Sequence, residues 1–208
     1  MDRKHLLTDQ LEFYRDLGVT HLNLGVPTAE SLEAGIRECE RCEFSAGRKG
    51  YISGSGSLEA DLMFIVDALS EEDVKAGEPL SGEAGELMSR IIRAIELDPG
   101  DVFVTNAVKC CPGDLRKPSP AEIDACRPWL MKQVRLVNPL VIVPLGNVAA
   151  HSLLSTADPI TALRGRFHHL GRCPVMPTFH PEYLLHNPGA KSQVWHDMKM
   201  VRERLRSR

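Results

Sequence analysis

The chain has 208 residues, 43% of them apolar, enough for one full hydrophobic core with at most a small appendage. No apolar run approaches the roughly 18 to 20 residues that span a bilayer, and the opening MDRKHLLTDQLEFYRDLG is too charged for a secretory leader. The net charge of −3 hides an asymmetry, since residues 1–108 carry 10 Lys and Arg against 21 Asp and Glu while residues 109–208 carry 15 against 7; a basic half of this kind is what a phosphate-binding face needs.

In chain order, the first 38 residues read as an extension of two helices separated by the GVPT turn at 25–28. Thr28 is an N-cap, and Leu32 and Ile36 fall on one helical face. Cys39 and Cys42 follow as a CERC pair, then a polar, glycine-rich loop over 45–57 whose GSGS reads as a turn rather than a phosphate cradle. From Asp61 the pattern alternates. LMFIV (62–66), VFVT (102–105) and LVIVPL (140–145) are short apolar runs of the kind that fill a parallel sheet buried on both faces. Helices are predicted over about 82–96 and 120–137, the second opened by a Ser119/Glu122 capping box with Pro120 at its first position. A last strand (173–179) and a closing helix from about 190 complete the chain. No internal repeat interrupts it, so residues 1–208 are expected to form a single domain carrying an N-terminal helical extension over about 1–38. The alternation predicts an α/β fold, a three-layer α/β/α sandwich on a short, mostly parallel sheet. The basic C-terminal helix, with Arg202, Arg204, Arg206 and Arg208, accounts for part of the positive half.

Four cysteines stand out. Between Cys42 and Cys110 lie 67 residues, and between Cys110 and Cys126 lie 15. Structural zinc sites more often use two close pairs, so the pattern leans towards an iron–sulfur cluster, while zinc and ordinary buried thiols stay open on spacing alone. Cys111 and Cys173 add no disulfide framework, which points to a reducing cytoplasm. In an open α/β sheet, ligands gather beyond the carboxyl ends of the strands. The residues at those ends are Asp67, Asn106 and His180: an acid, an amide and an imidazole.

These segments resemble a known family, the iron–sulfur uracil-DNA glycosylases often called family four. TNAVKCCPGDLRKPSPAEIDAC (105–126) is similar to its cysteine-bearing stretch, ITALRGRF (160–167) to its TxLRG segment, PTFHPEYLLHNP (177–188) to its terminal histidine motif, and GEPLSGEAGELM (77–88) to the segment after its first motif. The resemblance spans about residues 39–205. It implies a 4Fe–4S cluster on Cys39, Cys42, Cys110 and Cys126, with Cys111 as the alternative ligand. It also implies base reading by Asn106, transition-state stabilisation by His180, water positioning by Asp67, substrate contacts from Leu80 and Ser70, and DNA-phosphate contacts from Arg164 and Gly165. DNA is the implied partner, and a monomer is expected.

The departures fall on the chemistry. Where the family has GEAPG or GEGPG, this chain has VDALS (66–70), without glycine or proline. The acid is shorter by one methylene as Asp67, and the family's stacking phenylalanine corresponds to Leu80. The implied activity is hydrolysis of the N-glycosidic bond of uracil or another deaminated base in DNA, weakened or altered by these changes. The alternative is a catalytically idle cluster protein that binds damaged DNA. A serine hydrolase using Ser70 or Ser81 with His180 lacks a GxSxG elbow.

Overall fold

The computed structural model describes residues 27–114 and 116–207, so the first of the two expected N-terminal helices lies outside the described residues. The second is α1 (Ala29–Arg37). The Thr28 hydroxyl accepts from the Ser31 N–H at 3.2 Å and the Ser31 hydroxyl accepts from the Thr28 N–H at 3.0 Å, a reciprocal cap on two otherwise unpaired donors. Leu32 and Ile36 are buried, as their spacing requires.

Two short strands, β1 (Gly50–Tyr51) and β2 (Ser55–Gly56), precede β3 (Leu62–Val66). Helices α2 (Glu71–Ala76) and α3 (Gly82–Ala94) lead to β4 (Phe103–Asn106) and β5 (Cys110–Cys111). Helix α4 (Pro120–Val137) begins with the anticipated box, Ser119 accepting from the Glu122 N–H and Glu122 from the Ser119 N–H. Then come β6 (Val141–Pro144), α5 (Asn147–Leu154), the single turn α6 (Ile160–Leu163), and the hairpin of β7 (His168–Leu170) and β8 (Cys173–Val175). Helices α7 (Pro181–His186) and α8 (Lys191–Arg206) follow.

The main sheet has the order β2-β4-β3-β6-β8-β7. The four inner strands are parallel, and β2 and β7 pair antiparallel at the two edges. Alternation along central β3 divides the core. Leu62, Phe64 and Val66 meet Met88 of α3 and Met198 of α8 on one face, whereas Met63 and Ile65 meet Leu130 of α4 and Leu153 of α5 on the other. All five β3 residues are buried, so this strand reads as an unbroken apolar run in a three-layer α/β/α fold.

The last strand is shorter than expected. Pro174 and Pro177 remove two backbone donors, so regular pairing stops at Val175, although Thr178 still bridges Leu145 in parallel. The closing helix is less free for phosphate than its arginines suggest: Arg202 and Arg206 both pair with Glu96.

Candidate functional site

Because β3, β4, β6 and β8 run parallel, the segments after them leave one edge of the sheet together, with Asp67 after β3, Asn106 ending β4, Gly146 after β6 and His180 beyond β8.

Asn106 is fully buried. Its Nδ2 donates to the Pro79 carbonyl at 2.9 Å, whereas its Oδ1 is a buried acceptor with no hydrogen-bond partner. A flipped amide would set two oxygens against each other, so Pro79 fixes which end of the amide is which. An unpaired buried acceptor costs about 1–3 kcal/mol, a cost that a donor on a ligand removes. Below it, the buried Lys109 ammonium donates to the Asn106 carbonyl at 2.5 Å, to Thr105 Oγ1 at 2.6 Å and to Gln133 Oε1. Burial pulls the Lys109 pKa down to about 7, against the pull of Cys126 and Cys110. Sequence reasoning passed over Lys109, whose signal was a lysine beside a strand-end cysteine.

His180 caps α7, its Nδ1 accepting from the Glu182 N–H at 3.2 Å. An amide can only donate, so Nδ1 carries no proton and the neutral ring holds its proton on Nε2, as a donor. Burial lowers the His180 pKa, opposed by the Glu182 and Asp73 carboxylates, and thereby favours that neutral form.

Asp67 reaches across to α5, where its Oδ1 accepts from the Ala149 N–H at 2.8 Å. The chain permits this approach at Gly146, whose φ of +97° suits glycine and whose Cβ, if present, would lie 2.5 Å from Asp67 Oδ2. Burial raises the Asp67 pKa to about 6, and the Ala149 N–H works in the opposite sense. The carboxylate therefore serves as a helix cap and is also poised near neutral pH.

The remaining expected contacts are distributed differently. Leu80 is half-buried against the first core face. Ser70 is the N-cap of α2, its hydroxyl donating to Asp73 Oδ2 at 2.7 Å and accepting from the Asp73 N–H at 3.1 Å. Arg164, expected at a DNA phosphate, is turned inward. It holds the fully buried Asp197 with Nε at 3.1 Å and Nη2 at 2.7 Å, bonds the Gln193 carbonyl at 2.8 Å, and lies 5.3 Å from the Phe179 ring. Asp197 also accepts from Thr178 Oγ1 at 2.6 Å, so the pair braces the segment that delivers His180. Gly165 follows at φ +81°, a left-handed turn that brings the backbone round after Arg164.

Cys39, Cys42, Cys110 and Cys126 line one small cavity together with Trp129. Three of the four sulfurs accept an N–H at 3.3 Å: Cys39 from the Trp129 indole, Cys110 from Arg48 and Cys126 from the Lys109 backbone. Such donors stabilise thiolate charge on a metal group. Burial pushes the Cys126 thiol up to about 11 and raises Cys110 as well, a cost that ligation by a cation reverses. Among the described residues no three Cys, His, Asp or Glu groups close on a single ion. Cys111 takes no part in this cavity: fully buried, it packs with Ile52 and Leu69, because successive residues of β5 point to opposite sides.

The fold thus defines an α/β protein with an acid, an amide and an imidazole at the carboxyl edge of its sheet and a thiol-lined cavity that Lys109 joins to Asn106. Residues 53–199 match the model of the uracil DNA glycosylase superfamily. A type-4 uracil-DNA glycosylase of Saccharolobus solfataricus is 35% identical over 182 residues, covering 83% of this chain and 84% of that protein. Another from Thermotoga maritima is 36% identical over 154 residues, 73% of this chain and 80% of the relative, and one from Archaeoglobus fulgidus is 30% identical, with 84% and 93% covered. The chain belongs to the uracil DNA glycosylase superfamily, in its type-4 family.

Proposed function

We propose that this protein excises uracil, or a deaminated base like it, from DNA by hydrolysing the N-glycosidic bond, the opening step of base-excision repair. The observation that carries this reading is Asn106, buried, with its amide oriented by Pro79 and its Oδ1 unpartnered. A base extruded from the stack costs a few kcal/mol and must be compensated in the pocket. Uracil presents a ring N–H between two carbonyls. Oδ1 accepts that N–H, and the second Nδ2 hydrogen donates to the adjacent carbonyl. Cytosine presents an acceptor at the same ring position and is rejected.

As the bond from the sugar carbon to the ring nitrogen breaks, its electron pair passes to the base. His180, neutral with Nε2–H outward, donates to the base oxygen on which negative charge grows. Ionised Asp67 holds the water whose oxygen joins the sugar carbon and takes up its proton. Leu80 supplies apolar contact in place of aromatic stacking, which is worth roughly 1–3 kcal/mol, and activity is weakened accordingly. Since Arg164 is engaged with Asp197, backbone phosphate contact falls to Gly165 and the exposed Arg166 beside it.

Cys39, Cys42, Cys110 and Cys126 would hold a 4Fe–4S cluster; four thiols around one cavity, two buried and two half-buried, three with N–H donors, support that ligand set. When bound, the cluster is an electron-rich, thiolate-held anchor, and the hydrolysis itself is redox-neutral. The protein acts on DNA as a single chain in the cytoplasm, where its thiols stay reduced.

One observation favours the second reading, a cluster protein that binds damaged DNA without cutting it: Asp67 Oδ1 is committed to the Ala149 N–H. Incubation with a single-stranded uracil-containing oligonucleotide separates the two. Abasic product that falls about 10²–10³-fold in His180→Ala establishes the glycosylase. Salt-sensitive binding with no product from any deaminated base establishes the binder.

A further inference from the structure

The segment between β3 and α3 is held by one buried side chain. Asp73 is 6% exposed and accepts four hydrogen bonds: from the Ser70 N–H at 2.9 Å, the Ser70 hydroxyl at 2.7 Å, the Ser81 N–H at 2.7 Å and the Ser81 hydroxyl at 2.8 Å. Its two oxygens divide the work, Oδ2 holding Ser70 and Oδ1 holding Ser81. The carboxylate therefore closes residues 70–81 into a loop, and charge-assisted bonds of this length are the strong kind. Two residues before Ser81, inside that loop, lies Pro79, whose carbonyl takes the Asn106 Nδ2 hydrogen. Proline contributes no N–H of its own, so apart from that carbonyl the backbone at Pro79 is held through its neighbours, Glu78 by its N–H to the Asp73 carbonyl at 3.1 Å and Ser81 by the Asp73 side chain.

We propose that Asp73 is a specificity-determining positioning residue: by clamping Ser70 to Ser81 it presses the Pro79 carbonyl against Asn106 and so holds the amide with its oxygen towards the base. This rests on the base-reading role given to Asn106 above. An Asn side chain free to flip offers either a donor or an acceptor to a ring nitrogen, and so tells uracil from cytosine poorly. A clamped one offers only the acceptor. The class of base admitted is then set by the clamp: bases with a ring N–H beside a carbonyl, which deamination creates from cytosine and adenine. Unmodified cytosine and adenine, with a bare ring nitrogen there, are excluded. The clamp also accounts for the function of the acidic and serine residues in a loop without the glycines and proline that its relatives' pattern leads one to expect. Ser70 fastens the loop's start instead of touching substrate.

Asp73→Asn tests the clamp, because one carboxamide oxygen cannot serve both serine amides. Two readouts are required. The first is exchange of the Asn106 side-chain amide hydrogens, followed by nitrogen-15 NMR with the resonance assigned from its loss in Asn106→Leu. The second is the affinity for free uracil and for free cytosine, measured by calorimetry without turnover. Exchange should accelerate roughly tenfold or more, and preference for uracil should fall by about the same factor, with Asp73→Glu restoring part of both. Ser81→Ala, which removes one hydroxyl and leaves the fold's backbone bonds, should show smaller shifts of the same sign and decides the matter if Asp73→Asn does not fold. Unchanged exchange in folded variants overturns the clamp. Faster exchange with unchanged preference overturns its role in specificity. If the unaltered protein binds no uracil at all, the function proposed above fails, and the exchange experiment still decides whether Asp73 orders Asn106.

Discussion

Asp67 gives the sharpest pH prediction. Its pKa is raised to about 6, so the ionised fraction climbs roughly tenfold between about pH 5 and about pH 7. If the carboxylate is the group that holds and deprotonates water, the single-turnover rate on a single-stranded uracil oligonucleotide rises by the same factor over that range, read as alkali-cleavable abasic product. Stability runs the other way. The folded pKa lies above the unfolded one, so the folded state binds more protons between about pH 4 and about pH 6, and stability is lost as pH rises through that window. The loss is at most about 3 kcal/mol, from a shift of about two pKa units. Asp67→Asn separates this from His180, whose deprotonation to the neutral donor also raises activity with pH, over a range that burial moves downward. The amide oxygen can still accept from Ala149, so the α5 cap survives while the base is lost. A rate flat from about pH 5 to about pH 7 refutes the role of Asp67, and so does an Asp67→Asn variant that keeps both its rate and the pH step.

Other substitutions probe separate parts. Asn106→Ala should lower kcat/KM for uracil about 10²-fold or more, as two hydrogen bonds to the base are lost, measured in steady state with the same oligonucleotide. Cys126→Ala should remove the visible absorption expected near ~400 nm and most of the iron, about four atoms per chain in the unaltered protein, and lower the unfolding midpoint. A colourless, zinc-loaded and equally stable protein would contradict that ligand set. Asp197→Ala should cost about 3–5 kcal/mol in urea unfolding, because Arg164 is left largely buried without its carboxylate.

The sheet was legible because β3 and β6 are buried on both faces and so appear as continuous apolar runs. The start of α4 was equally plain, since a capping box and an N1 proline act within four residues. The limits of β8 were less so, for Pro174 and Pro177 look apolar in a pattern yet withdraw donors from the ladder. The strand-end trio Asp67, Asn106 and His180 could be read from topology. Their partners could not: that Pro79 orients Asn106, or that Asp197 draws Arg164 away from solvent, depends on contacts 27 and 33 residues apart in sequence. Ser70 shows the same limit, as a capping serine and a substrate-binding serine look identical in sequence until Asp73 is seen between Ser70 and Ser81.

Asn106 and the thiol cavity are not independent features of this chain. Asn106 and Cys110 are four residues apart, on the segment running from β4 to β5. Lys109 spans the gap: its backbone N–H is taken by Cys126 at 3.3 Å, and its ammonium bonds the Asn106 carbonyl at 2.5 Å. The Cys126 thiol on α4 therefore helps to fix the residue that supports Asn106 from below, while Asp73 holds Ser81, two residues beyond the Pro79 carbonyl that takes the Asn106 amide. Displacement of a reacting group by about 1 Å can cost about 10²-fold in rate. The thiol cavity thus has a mechanical link to Asn106: Cys126, through Lys109, holds that residue from the backbone side, while the loop closed by Asp73 holds its amide from the other.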